Sequence, residues 1–401
     1  MTNEAIQVLL DTSRRMVEAT PVTFHRYVMG RIDWRDCLIC VEGARGTGKS
    51  TIMRQRIKEA FGVEGKAAYM NLDDLWFAAN SLLDAVRWFD SHGYTHLFID
   101  EVHQAHEWQL RLKNINDQFP SLNIVYSGSS VLRLAKGRGD LSRRQAVYTL
   151  NGLSFREYLR FEGVLDHPAL GLDDILSRHR EIAADITRKI KILPHFEKYL
   201  KVGFYPFYKE AYALYRQRII EAVNKTLESD WPAVAEVSVS TIRKAKKMLM
   251  VLASSVPQQP NMSKLYRELD TERNTGLKML EALDKGALLA LVPAKGETLK
   301  NLPKPEKIYC DNTNLMYALT PHADIGTARE TFFCNQLRTD HEVSFPGFGD
   351  FLVDGKYLFE IGEAGKGFSQ IKDLPDSYVV VDDTELGLGH KIPLWLFGFL
   401  Y

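Results

Sequence analysis

The sequence predicts an α/β chain, on three observations. The apolar run Cys37-Leu38-Ile39-Cys40-Val41 leads straight into Gly43-Ala44-Arg45-Gly46-Thr47-Gly48-Lys49-Ser50-Thr51 and then into a helical stretch, Ile52 to Ile57. A second apolar run, Tyr94 to Ile99, ends in Asp100-Glu101. Around them strand-like and helix-like stretches alternate, the pattern of parallel strands joined by crossover helices.

The glycine-rich stretch reads as a phosphate-binding loop. Glycines let backbone N–H groups converge on phosphate oxygens, and the helix that follows presents its positive N-terminal end to the same anion. Lys49 is spaced to reach β- and γ-phosphates, and Ser50 to give its hydroxyl to Mg²⁺. At the end of the second strand, Asp100 would order the Mg²⁺ shell and Glu101 would polarise an attacking water. A further strand, Asn123 to Tyr126, carries Ser127-Gly128-Ser129-Ser130 at its tip; Ser129 or Ser130 would sense the γ-phosphate, the alternative being a plain serine-rich turn. Downstream, Arg138 and the pair Arg143-Arg144 suit stabilisation of transition-state charge, from the same chain or from a neighbouring copy.

The 401 residues are 45% hydrophobic and 25% charged, enough for two or three domains with real cores. Lys+Arg and Asp+Glu each total 51, so no global field draws the chain to nucleic acid or an anionic membrane, and any nucleic-acid site must be a local patch. Four cysteines are too few for a disulfide framework, which points to a reducing, cytoplasmic setting; Cys37-x-x-Cys40 reads as core packing rather than half a metal site. No secretion signal or membrane span is expected.

In chain order, residues 5–30 read as helix broken by Pro21, Ala67 to Leu72 as a strand, and Asp73 to Phe89 as a helix. Residues 165–235 read as helical, with the aromatics around Phe196 to Pro206 taken as core. Residues 239–300 read as helix, short helix, longer helix and a hairpin turning at Lys295-Gly296, the order of a winged helix-turn-helix. Arg273, Asn274, Lys278, Lys295, Lys300, Lys304 and Lys307 would meet DNA phosphates there; plain packing or dimerisation is the alternative. In the last hundred residues Glu330, Asp350 and Glu360 match the acids of a metal-dependent PD-(D/E)xK nuclease site. Gly362 stands where its lysine belongs, so a degenerate binding fold is favoured, with Lys366 as the substitute that would reach in from the next segment.

Phe24-His25-Arg26-Tyr27-Val28, Ile32-Asp33-Trp34, the loop with Arg45, Phe98-Ile99-Asp100-Glu101-Val102-His103, Ser127-Gly128-Ser129-Ser130, Asp140-Leu141-Ser142-Arg143-Arg144 and Gly152-Leu153-Ser154-Phe155-Arg156-Glu157-Tyr158 carry a resemblance. Together they resemble the AAA-type P-loop ATPases of bacteria and archaea, in the group with a winged helix and a nuclease-like C-terminal domain. The resemblance implies adenine as the base, a sensor or finger arginine at Arg144 or Arg143, and ring-like assembly. The expected organisation is a helical adaptor (1–30), an ATPase core with a parallel sheet (31–160), a helical extension (161–238), a winged helix (239–306) and a small restriction-endonuclease-like α/β domain (307–401). The expected function is Mg²⁺-dependent ATP binding and hydrolysis that remodels a nucleic-acid or protein partner. An ATP-gated DNA nuclease and a nucleotide-binding scaffold with little turnover are the alternatives.

Overall fold

A computed structural model describes residues 3–134, 141, 143–255, 261–296, 305–369, 371 and 374–401; Arg138, Lys300 and Lys304 lie outside them. The chain forms two compact units, residues 1–151 with 225–237, and residues 152–224 with 238–401.

The first unit is a five-stranded sheet in the order β2-β3-β4-β1-β5: β1 (Leu38–Gly43), β2 (Ala67–Asn71), β3 (His96–Asp100), β4 (Asn123–Ser129) and β5 (Ala146–Thr149). All its pairings are parallel. Successive side chains of β1 point to opposite faces, and both faces are covered, as a parallel sheet requires. Leu38 and Cys40 pack with α1 (Asn3–Glu18), α4 (Leu82–Ser91) and α5 (Trp108–Gln118), through Ile6, Leu9, Phe89 and Leu112 among others. Ile39 and Val41 pack with Ile52, Met53 and Ile57 of α2 (Lys49–Ala60), and with Val28 and Ile32. Cys40 is therefore a core residue as expected, whereas Cys37 is exposed; both are free thiols.

Several expected boundaries move. The helix expected over residues 5–30 stops at Glu18 and, with Ile6, Leu9 and Leu10 inside the sheet's core, is part of this unit rather than a separate adaptor. The single helix expected over residues 73–89 is split into α3 (Trp76–Ala79) and α4, because Ser81 starts a new helix by accepting from the Asp84 N–H.

The second unit opens with α6 (Phe155–Phe161), α7 (Leu172–Lys189), α8 (Ile192–Lys201) and α9 (Tyr215–Lys225). Ser154 and Glu157 form a reciprocal cap that starts α6. Then come α10 (Val239–Ala253), α11 (Met262–Glu268), α12 (Arg273–Lys285) and strand β6 (Leu289–Val292). Strand β6 pairs antiparallel with β7 (Lys307–Cys310), so a domain boundary at residue 306 would cut a ladder of hydrogen bonds. After α13 (Thr313–Leu319) and α14 (Ile325–Leu337) comes a mixed sheet, β12-β11-β10-β9-β8. It is built from β8 (Val343–Ser344), β9 (Phe351–Val353), β10 (Tyr357–Gly362), β11 (Ser377–Val381) and β12 (Lys391–Pro393). The extension expected over residues 161–238 is likewise divided, its last part joining the first unit.

One amide ties this unit's helices together. Buried Asn314 accepts from the Gly203 and Phe204 N–H groups (2.8 and 3.0 Å) and the Tyr215 hydroxyl (2.5 Å), and donates to the Tyr199 and Leu200 carbonyls (2.9 and 3.1 Å). Nearly all its capacity is used, so truncation strands several buried groups at once. Asn314→Ala is expected to lower the stability of this unit by on the order of 3 kcal/mol, read as a shifted urea midpoint; an unshifted midpoint would mean water replaces the amide.

Candidate nucleotide site and a second acidic cluster

The site grows from the end of β1. Gly43 lies opposite Ser129 in the parallel register of β1 and β4, so the glycine loop and the serine tip of β4 share one sheet edge. Gly43 has to be glycine: an added Cβ would stand 2.2 Å from the Leu150 carbonyl oxygen. Beyond it the loop turns through left-handed backbone at Gly46 (φ 82°) and Gly48 (φ 100°) into α2. Thr47 closes the turn with a hydroxyl bond to the Ala44 carbonyl (2.9 Å). Buried Arg26 braces it from outside, donating to the carbonyls of Thr47 (2.5 Å) and Asn151 (2.7 Å). The Lys49 ammonium folds over the loop onto the carbonyls of Gly43 and Ala44, both at 2.9 Å. Burial pushes its pKa down, against the opposing pull of Glu101 and Asp100.

Strand β3 brings its two carboxylates to the same edge. Asp100 is buried and accepts from the Tyr69 hydroxyl (2.6 Å), the Ser127 hydroxyl and the Glu101 N–H (3.1 Å). Tyr69 also engages the Ser50 side chain, so Ser50 and Asp100 meet around one phenol. Burial and the Asp100 charge raise the pKa of that phenol, which stays a hydroxyl donor. Glu101 sits in left-handed backbone (φ 53°, ψ 44°), a conformation that costs a non-glycine residue about 1–3 kcal/mol and is concentrated at functional sites. The hydroxyl oxygens of Ser129 and Ser130 are buried without a hydrogen-bond partner among the described residues. Stranded polar atoms at a sheet edge mark where a polar ligand would be received.

A residue with no sequence signal completes the site. Asp230, in the π-helical turn Thr226–Asp230, accepts a bidentate pair from Arg45 (2.7 Å from Nε, 2.6 Å from Nη2) and a bond from His103 Nε2 at 3.2 Å. Burial opposes its ionisation, but the bonds from His103 and Arg45 outweigh this and hold the carboxyl well below the usual carboxylate range. The Arg45 side chain is thus engaged within the protein, and what it offers a phosphate is its backbone N–H. Arg26 and His103 stand within the quoted resemblance but had no role there; Tyr69 is one of several apolar-run residues in β2. Only their contacts single them out.

These residues match known proteins by sequence as well. Residues 35–159 match a model of the AAA domain. This stretch is therefore similar to an AAA domain. Residues 193–325, spanning α8 to the start of α14, match a domain of unknown function, DUF8612. The uncharacterized protein MJ1637 of Methanocaldococcus jannaschii is 28% identical over 284 residues, 68% of this chain; the match spans 60% of that relative's length. Among solved structures, the Aeropyrum pernix Orc1 protein in complex with DNA aligns over 79% of this chain and 92% of its own, at 13% identity and a TM-score of 0.30. The replication initiator DnaA bound to AMPPCP and single-stranded DNA aligns over 70% and 86%, at 14% identity and 0.27.

The register of β5 fixes which of the two expected roles the arginines can serve within their own chain. Ala146 of β5 pairs with Ile39 near the start of β1, and Thr149 with Glu42 near its end. Arg143 and Arg144 therefore lie beyond the strand end remote from Gly43, with roughly 10 Å of β5 between them and the loop edge. Arg144 is salt-bridged to Asp117 of α5, and both arginines are exposed. A reading in which either touches the γ-phosphate held by its own chain is corrected by this register.

The acids expected to hold a second metal come together in the other unit, but with cations of the chain's own. The Lys307 ammonium stands between Asp350 (3.0 Å) and Glu330 (3.2 Å), and the Tyr309 hydroxyl donates to Glu330 (2.6 Å). Burial opposes the Lys307 charge, but the two carboxylates raise its pKa above the usual value. Lys366 reaches Glu360 at 2.5 Å, and its stem lies where any side chain at residue 362 would go, 2.7 Å from an added Cβ. Gly362 thus makes room for a lysine that arrives from later in the chain. Among the described residues no group of three or more His, Cys, Asp or Glu is placed to hold a metal. With an ammonium between Glu330 and Asp350, this donor set does not fit a divalent ion. Lys307 is also withdrawn from the DNA-facing set, whereas Arg273, Asn274, Lys278 and Lys295 are exposed.

Two outcomes check these contacts. Gly43→Ala should cost about 1–3 kcal/mol of stability through the clash with Leu150 and weaken nucleotide binding, seen by urea unfolding and a fluorescent-nucleotide titration. Lys307→Met should destabilise by about 1–3 kcal/mol, because two half-buried carboxylates lose their shared cation; a thermal scan with no shift would deny the ammonium its structural role.

Proposed function

We propose that this protein binds ATP with Mg²⁺ at the edge of the first unit's sheet and hydrolyses it to drive a conformational change that acts on a partner. The observation that carries this is the meeting of Ser50 and Asp100 around Tyr69, one residue from Glu101 and beside the loop that ends in Lys49. Two oxygens of that kind fit Mg²⁺, which takes few protein ligands and keeps the rest as water and phosphate. Ser50 would hold the ion directly, and Asp100 would orient its water shell. The ion supplies charge neutralisation at the phosphates when bound. The backbone N–H groups from Ala44 to Thr51 and the Lys49 ammonium hold the phosphates, Ser129 lends a hydroxyl to the terminal phosphate, and Glu101 takes the hydrogen bond of the attacking water.

A second element of the reading comes from the arginines. The exposure of Arg143 and Arg144 at the sheet end away from their own loop supports a role toward a neighbouring copy, in a homo-oligomer whose turnover depends on assembly. The order of the helices from Val239 to Lys285 and of the β6–β7 pair supports a winged helix. Their exposed Arg273, Lys278 and Lys295 support duplex DNA as a partner, with a protein partner as the alternative. The lysine-filled acidic cluster favours a binding or regulatory role for the C-terminal sheet over nuclease chemistry. No helix among the described residues is long and apolar enough to cross a membrane.

Steady-state hydrolysis and nucleotide titration test this together. Glu101→Gln should keep ATP affinity within a few-fold and lose about 10²-fold or more in kcat, while Lys49→Ala should lose binding itself. Specific activity should rise with protein concentration and fall in Arg144→Ala. Equal turnover in wild type and Glu101→Gln would sink the hydrolytic reading.

A further inference from the structure

Two carboxylates compete for the Arg45 guanidinium. Asp230 takes it in a bidentate grip at 2.6 and 2.7 Å, and Glu101 is left at 3.5 Å with a buried Oε2 that makes no hydrogen bond among the described residues. The second donor beside Glu101, His103 Nε2 at 3.4 Å, is also closer to Asp230, at 3.2 Å. Both groups able to clamp the Glu101 carboxylate are therefore occupied by one fully buried acid. A planar guanidinium held through two parallel bonds in a dry site is hard to draw away. We propose that Asp230 is a positioning residue for hydrolysis: by engaging Arg45 and His103 it leaves the Glu101 carboxylate free to accept the hydrogen bond of the attacking water. This rests on the hydrolytic reading given above.

The structure also says where such a control would enter. Asp230 lies in residues 225–237, which pack with the first unit although the chain on both sides of them belongs to the second unit. Displacement of this segment would hand Arg45 to Glu101 and stop turnover without touching the nucleotide.

The test uses the full chain with Mg²⁺ and ATP, and reads kcat and nucleotide Kd separately. In Asp230→Asn the amide no longer holds Arg45, which closes on Glu101; kcat should fall at least tenfold with Kd within threefold of wild type. Removing the clamp as well, in Arg45→Gln/Asp230→Asn, should raise turnover at least fivefold over Asp230→Asn. A merely structural tie gives no such rescue. Wild-type turnover in Asp230→Asn overturns the proposal, and so does a double variant that binds ATP as tightly yet stays as slow. Should Asp230→Asn fail to fold, the double variant decides by itself, because it buries neither charge: brisk turnover supports the proposal and slow turnover ends it. An inactive wild type would instead remove the hydrolytic reading, and this one with it.

Discussion

A charge taken out of water has to be answered by another, and at the edge of the first sheet this requirement arranges nearly everything else. Lys49 and Arg45 bring two cations into a buried place; Asp100, Glu101 and Asp230 bring three carboxylates. Carbonyls at the loop mouth take the lysine, Asp230 takes the arginine, and hydroxyls from Tyr69 and Ser127 take Asp100. Glu101 has only neighbours at 3.4 and 3.5 Å. It is the least satisfied acid in the site and also the one whose backbone is strained, which is where a reacting group is expected to stand.

What was legible in the sequence is what local pattern encodes. The loop with its glycines, the strand ending in Asp100-Glu101 and the serine tip of β4 all fall on one edge of the sheet, as their spacing implied. Parallel register then does the rest, placing Ser129 opposite Gly43. Long-range pairing was not legible. Nothing around Asp230 distinguishes it from other acids in helical sequence, and its partner lies 185 residues earlier. The end of β5 that Arg143 and Arg144 occupy was not legible for a related reason, since proximity along the chain to Ser129 says nothing about it. Helix breaks decided by a single cap, such as Ser81, were too local to read from apolar periodicity.

The acidic cluster of the second unit obeys the same electrostatics with a different answer. There the cations come from the protein: Lys307 from β7 and Lys366 from beyond β10, crossing a glycine that leaves it a path. The gap noticed at residue 362 was real, and Lys366 fills it from four residues on. Lys307 is the part no pattern announced, because it belongs to a strand that pairs with β6 rather than with the sheet carrying Asp350 and Glu360.

The return of residues 225–237 to the first unit has a consequence for how the protein is made. A chain emerging from the ribosome completes all five strands of that sheet by Thr149, yet Arg45 then has no Asp230 to meet until some eighty more residues have been synthesised. Until then the carboxylate beside the Arg45 guanidinium is Glu101, and closing so long a loop is slow compared with local helix formation. The same holds for fragments: cutting after the last strand gives a sheet that is whole in its hydrogen bonds but leaves Arg45 to Glu101.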